Sequence, residues 1–161
     1  MINEIETKMH KLIERKTFSK ILVAIHESRT SVDTAANYAI KIAQEYDAQL
    51  VILHVIRTDV NLHSVNLPGH VMEMRKQAKA HFNKIAEKIH EDSNKGNILR
   101  MKTEIIASVR IADAIVSYAK DKHIELIIIG TRSKSKLKSM LLGDVASDVV
   151  RYAHCPVLTV K

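Results

Sequence analysis

Gly130 and Gly143 enclose a run of basic residues that could hold an anion. The run is Thr131-Arg132-Ser133-Lys134-Ser135-Lys136-Leu137-Lys138-Ser139-Met140, with four cationic side chains and no acid, followed by Leu141-Leu142. The whole chain has four glycines, so two of them around one loop is a property of that loop. Glycine lets a backbone take positive φ or approach a ligand closely. Backbone N–H groups at a helix start, with Lys and Arg nearby, suit an anion such as phosphate. The same composition also describes a solvated basic surface loop, and on composition alone that plainer reading is preferred.

Other site chemistries lack their residues. There is no G-x-x-x-x-G-K-[ST] phosphate loop, no G-x-G-x-x-G dinucleotide turn and no G-x-S-x-G nucleophile elbow. The nine histidines include no H-E-x-x-H and no pair at i, i+4 spacing. His54 lies inside an apolar run and reads as a hydrogen-bonded structural residue rather than a metal ligand. The carboxylates are dispersed, and no catalytic pair or metal site is nominated. Cys155 is the only cysteine, which rules out an internal disulfide and zinc-finger spacing and fits a reducing compartment. It directly precedes Pro156 and reads as a small buried residue rather than a reactive thiol.

A chain of 161 residues suffices for one well-buried domain. Its 46% hydrophobic and 27% charged residues are those of a soluble globular protein. No apolar run approaches the roughly 20 residues that span a bilayer. Glu4, Glu6 and Lys8 stand where a signal peptide needs an apolar core, so the expected location is cytoplasmic. A net charge of +7 permits anionic partners. With 4% aromatic residues and no Trp, a stacking platform for single-stranded nucleic acid is not expected.

The elements that must position the loop follow from periodicity. Residues 1–17 read as a separate amphipathic helix, with Ile2, Ile5, Met9, Leu12 and Ile13 on one face, able to pack on the domain or on a partner chain. Residues 18–161 then alternate strand and helix. Ile21–Ile25 and Leu50–Ile56 are continuous apolar runs, as for strands buried on both faces. Between them Ala35, Ala39, Ile42 and Tyr46 mark a helix. Residues 57–68 read as a polar loop punctuated by Pro68-Gly69, and a long helix is expected from about Val71 to His90. Met101–Ala107 is mixed and reads as an edge strand. Ile111, Ala112, Ile115, Tyr118 and Ala119 give a third core helix. Ile124–Ile129, the basic loop, a helix from Val145 to about Tyr152 and a short strand starting at Pro156 complete the chain. This β-α alternation implies a parallel sheet with helices on both faces. Ligands of such sheets bind beyond the carboxyl ends of the strands, where strand order reverses. The segments after Ile25, Val55 and Ile129 are therefore candidate site loops.

The chain resembles the universal stress protein family over residues 18–161. The residues that carry the likeness are Ile21-Leu22-Val23-Ala24-Ile25 with His26-Glu27-Ser28, then Leu53-His54-Val55, then Ile127-Ile128-Ile129-Gly130-Thr131-Arg132. The strongest stretch runs from Leu141-Leu142-Gly143 through Val145, Val149 and Arg151 to His154-Cys155-Pro156-Val157-Leu158. The resemblance implies a five-stranded parallel sheet of order 3-2-1-4-5 and dimers formed through the last strand. It also implies ATP binding through G-x2-G-x9-G-[ST], which stands here as Gly130, Thr131-Arg132, Ser133, nine residues, Gly143 and Asp144. Ser133 replaces a glycine and Asp144 a hydroxyl residue, and His26 stands where an aspartate is usual. Ala24, Ile25 and Val55 match positions that line the adenine side. With Ile129 at the strand end, and Val145 and Ala146 in the following helix, they complete the implied nucleotide site.

The sequence therefore reads as a stress-response binding or signalling module with a weak site for ATP or AMP. The alternative is a dimeric protein of the same fold that binds no nucleotide and acts through protein partners. Slow ATP hydrolysis is a third reading, without a visible base. Nucleic-acid binding rests on charge alone and comes last.

Overall fold

The computed structural model describes residues 18–25, 29–58, 67–93, 99–131 and 144–161. The helix expected over residues 1–17 lies outside them. The described residues form nine elements in order: β1 (Lys20–Ile25), α1 (Arg29–Glu45), β2 (Gln49–Arg57), α2 (Leu67–Ser93), β3 (Met101–Ser108), α3 (Ile111–Asp121), β4 (Leu126–Gly130), α4 (Asp144–Tyr152) and β5 (Val157–Val160). The strands form one sheet of order β3-β2-β1-β4-β5, parallel throughout.

Alternation along each strand sorts the core into two layers, because successive side chains leave opposite faces. Ile21, Val23 and Ile25 of β1 join Leu50 and Ile52 of β2 and Leu126 and Ile128 of β4 beneath α1 and α2. Leu22 and Ala24, with Val51, Leu53, Val55, Ile127 and Ile129, pack under α3 and α4. All five residues from Ile21 to Ile25 are buried, as the unbroken apolar run requires. Right-handed crossovers account for the division: the chain leaves β1 towards one edge with α1 and α2 on one face, then returns across the sheet with α3 and α4 on the other.

Each helix buries a face that its spacing dictates. On α1 the small residues Ala35, Ala36, Ala39 and Ala43 bring the helix close to the sheet. On α2 the inner face is Ala78, Phe82, Ile85 and Ile89, with Met74 half-buried. Both α1 and α3 end with a residue in the left-handed region, Asp47 at φ 46 and His123 at φ 54. The next residue then bonds back five positions, Ala48 N–H to the Ala43 carbonyl and Ile124 N–H to the Ala119 carbonyl, each at 2.8 Å.

Several boundaries differ from the sequence expectation. Helix α2 starts at Leu67, so Pro68-Gly69 lies in its first turn instead of punctuating a loop. A proline is tolerated there because its missing N–H is one of the donors that has no intrahelical partner. Strand β4 starts at Leu126, not Ile124, since the Ile124 N–H closes the end of α3. Strand β5 starts at Val157. Pro156 stays just outside it but gives its carbonyl to the Ile127 N–H at 3.0 Å. The mixed strand β3 is at the sheet edge, as its half-buried pattern indicates.

Candidate functional site

Strand order reverses between β1 and β4. From β1 the chain passes to β2 on one side, and from β4 to β5 on the other, so no crossover covers the gap between their carboxyl ends. Ala24 of β1 pairs in register with Ile129 of β4, and Gly130 ends β4 one residue later. Ala24, Val55, Ile129 and Ala146 belong to one cluster, against which Val145 packs half-buried. Five of the expected site residues thus belong to one apolar layer, on the face of the sheet that α3 and α4 cover. Ile25 faces the opposite layer, beside Val23 and Ile128, and reaches this end of the sheet only through its backbone.

The apolar members are closed off. Ala24 is 4% exposed, Val55 1% and Ile129 0%. They therefore form a floor rather than a polar contact surface. Ala24 lies in the same buried layer as Val55 and Ile129.

The root of the basic loop is fixed. Thr131 donates its N–H to the Val160 carbonyl at 2.8 Å, and its hydroxyl meets the same oxygen at 3.3 Å. Both bonds tie the residue after Gly130 to β5, so the loop leaves the sheet from a defined point. The implied site did not include Thr131. Its signal was position alone, directly after a strand-ending glycine. Arg132, Ser133, Gly143 and His26 lie outside the described residues, as do Lys134, Lys136 and Lys138.

Asp144 is exposed and is the first residue of α4. A carboxylate in the first turn faces the partial positive charge of the helix start and stabilises it. In that position it competes with a bound anion for the same field. Sequence reading also passed over Arg110, which adds a cation at this end of the sheet. It flanks the start of α3, where its N–H donates to the Ser108 hydroxyl at 3.2 Å and its side chain pairs with Asp113 at 3.0 Å.

His54 is buried within β2, its ring edge-on to Phe82 with centroids 6.5 Å apart. Among the described residues no group of three His, Cys, Asp or Glu side chains is placed to hold a metal ion. None of the described helices is long and apolar enough to cross a membrane.

The fold and the sequence have clear relatives. The universal stress protein family model matches residues 17–161. Universal stress protein YxiE of Bacillus subtilis is 37% identical over 150 residues, covering 89% of this chain and 99% of its own. Among solved structures, the universal stress protein from Archaeoglobus fulgidus in complex with dAMP superposes with a TM-score of 0.64 at 17% identity, over 90% of this chain and 99% of that one. A universal stress protein in complex with cAMP gives 0.60 at 20% identity, over 89% of this chain and 96% of that one. With a family match over nearly the whole length and a sheet of the order the resemblance implies, the chain belongs to the universal stress protein family.

Proposed function

We propose that this universal stress protein binds an adenine nucleotide weakly at the carboxyl ends of β1 and β4 and works as a binding or signalling module. One observation carries the reading: Ala24 and Ile129 lie side by side at the strand-order reversal, with Gly130 ending β4 and α4 starting just beyond the basic loop. The small, buried Ala24 adds no side-chain bulk at this end of β1. The glycine lets the backbone approach a phosphate, and the sequence that follows it includes Arg132, Lys134, Lys136 and Lys138. Relatives of this fold solved with dAMP and with cAMP support an adenine ligand. ATP and AMP are both accommodated by this reading, which assigns no catalytic base.

A second reading, a dimer that works through protein partners without nucleotide, is favoured by Asp144. Its carboxylate stands at the start of α4, where the family motif has a hydroxyl. In both readings the protein is a cytoplasmic homodimer joined through β5, whose outer edge has no partner strand among the described residues. Denaturing freshly purified protein and identifying the released small molecules by mass spectrometry tests the first reading. A stoichiometric adenine nucleotide is expected. Protein that releases none and takes up none of ATP, ADP or AMP in calorimetry leaves the second reading standing.

A further inference from the structure

The domain begins beside the end of α1. The Phe18 ring meets the Tyr46 ring edge-on, with centroids 5.4 Å apart at 80°. The Ser19 carbonyl accepts the Gln49 N–H at 2.9 Å. Residue 18 is therefore held at the amino-terminal edge of the sheet, against the turn that follows α1. Residues 1–17 directly precede this anchored residue in the sequence.

A stripe of apolar side chains leads away from that point along α1. Tyr46, Ile42 and Tyr38 follow at four-residue steps, so they stack along the same side of the helix. Tyr46 and Ile42 are half-buried against the core, and Tyr38 is 51% exposed. Exposed Lys41 and Glu45 flank the stripe.

The preceding segment has a matching pattern. Ile2, Ile5, Met9, Leu12 and Ile13 fall on one face at helical spacing. A helix of this segment is about 25 Å long, and Tyr38 to Tyr46 spans about 12 Å. To enter β1 at Phe18 after running beside α1, such a helix must run parallel to α1. Equal rise then puts Leu12 and Ile13 level with Ile42, and Met9 level with Tyr38. Glu14 and Lys16 come within a turn of Lys41 and Glu45, which carry the opposite charges. We propose that residues 1–17 form a helix that docks on the Tyr38–Ile42–Tyr46 stripe of their own chain. The occupant is intramolecular because the segment is joined directly to the end of the stripe. A partner in solution must compete with an effective concentration in the millimolar range.

The test uses the full chain with Cys155→Ser. Met9→Cys is combined with Tyr38→Cys, and separately with Asp113→Cys on α3 as a control. A bis-maleimide spans the roughly 8–10 Å between packed helix axes. The expected product is a link within one chain for the first pair and none for the control. A link between two chains would show that a second copy covers the stripe, and no link above the control would also overturn the proposal. Because Tyr38→Cys removes a docking residue, a second measurement keeps Tyr38 and introduces Leu12→Asp. Nitration at Tyr38, read by peptide mass spectrometry, should then rise roughly tenfold, equivalent to about 1.4 kcal/mol of docking. Tyr152 on α4 should not change. An unchanged Tyr38 would overturn the proposal by a route independent of crosslinking.

Discussion

Glu125 holds Ser19 across 106 residues of chain. Its carboxylate accepts the Ser19 N–H, the Ser19 hydroxyl at 2.8 Å and the Lys20 N–H at 3.2 Å, all on one oxygen. The Lys20 ammonium reaches the Lys122 carbonyl at 3.0 Å, and the Glu125 N–H donates to the Lys20 carbonyl at 2.9 Å. The start of β1 is thereby locked to the start of β4, the two strands whose far ends form the candidate site. Registering the pair at one end fixes Ala24 opposite Ile129 at the other.

That clamp gives a pH-dependent prediction. The Ser19 backbone N–H, then its hydroxyl, hold the Glu125 carboxyl below the usual glutamate range, against a small opposing effect of burial. The unfolded chain has no such donors, so it binds more protons as the medium is acidified. The stabilisation is complete above the unfolded value, about 4.3, and is lost as pH falls through the folded one. Glu125→Gln should therefore cost about 1 kcal/mol at pH 7, a low figure for a charge-assisted bond because the site is solvent-exposed. Urea unfolding of both proteins at neutral and acidic pH checks this, and the difference should shrink in acid. A difference that stays constant with pH would assign the loss to packing instead.

Cys155 tests how far burial alone controls a thiol. It is half-buried after α4, and burial pushes its thiol up, offset in part by the Ile127 N–H. Only the thiolate is a good nucleophile. Alkylation of the native protein at pH 7 should be at least about tenfold slower than in urea, where the thiol returns to its ordinary value near 8.5. Equal rates in the two states would mean that the thiol is poised for reaction, contrary to its surroundings.

The sheet was legible from sequence because its central strands are buried on both faces. Ile21–Ile25 and Leu126–Ile129 cannot alternate polar and apolar residues, and such unbroken runs occur in few other settings. The half-buried edge strand Met101–Ser108 was legible for the converse reason. What escaped was long-range or local to a turn. Nothing near Ser19 in sequence announces Glu125, and Pro68-Gly69 reads as a loop until the helix continues past it. At the site, the register of Ala24 with Ile129 is set by pairing between distant strands, so motif spacing could indicate its neighbourhood but not that contact. The turning of Ile25 to the opposite layer follows from strand alternation, although the family likeness groups it with Ala24.

Dimerisation is expected through β5. Among the described residues, strand Val157–Val160 pairs with β4 alone, leaving its other edge without a partner strand. Val157, Leu158 and Thr159 are only half-buried. An edge with unpaired backbone groups is a template for a second copy of itself. Removing residues 157–161 should yield monomer or unfolded protein by light scattering. A truncated chain that remains a folded dimer would exclude this interface.

On the proposed reading, the charge at Asp144 should decide how the site treats phosphate. Asp144 is exposed at the start of α4, where the family motif carries a hydroxyl donor. A carboxylate about 4 Å from one phosphate charge costs about 4 kcal/mol at an effective dielectric near 20, a ceiling that solvent and the loop lysines reduce. Half of that weakens binding roughly 30-fold. The cost should grow with the number of phosphate charges, so it should fall more heavily on ATP than on AMP. Asp144→Ser removes the repulsion and restores a hydroxyl. It also gives up the stabilisation of the helix start, about 0.3–1 kcal/mol. Calorimetric titration of ATP, ADP and AMP should show tightening in that order, largest for ATP, with a small fall in melting temperature. Equal tightening of all three would assign the effect to shape rather than charge. A fall in stability with no binding to either protein would leave Asp144 as a helix-stabilising residue.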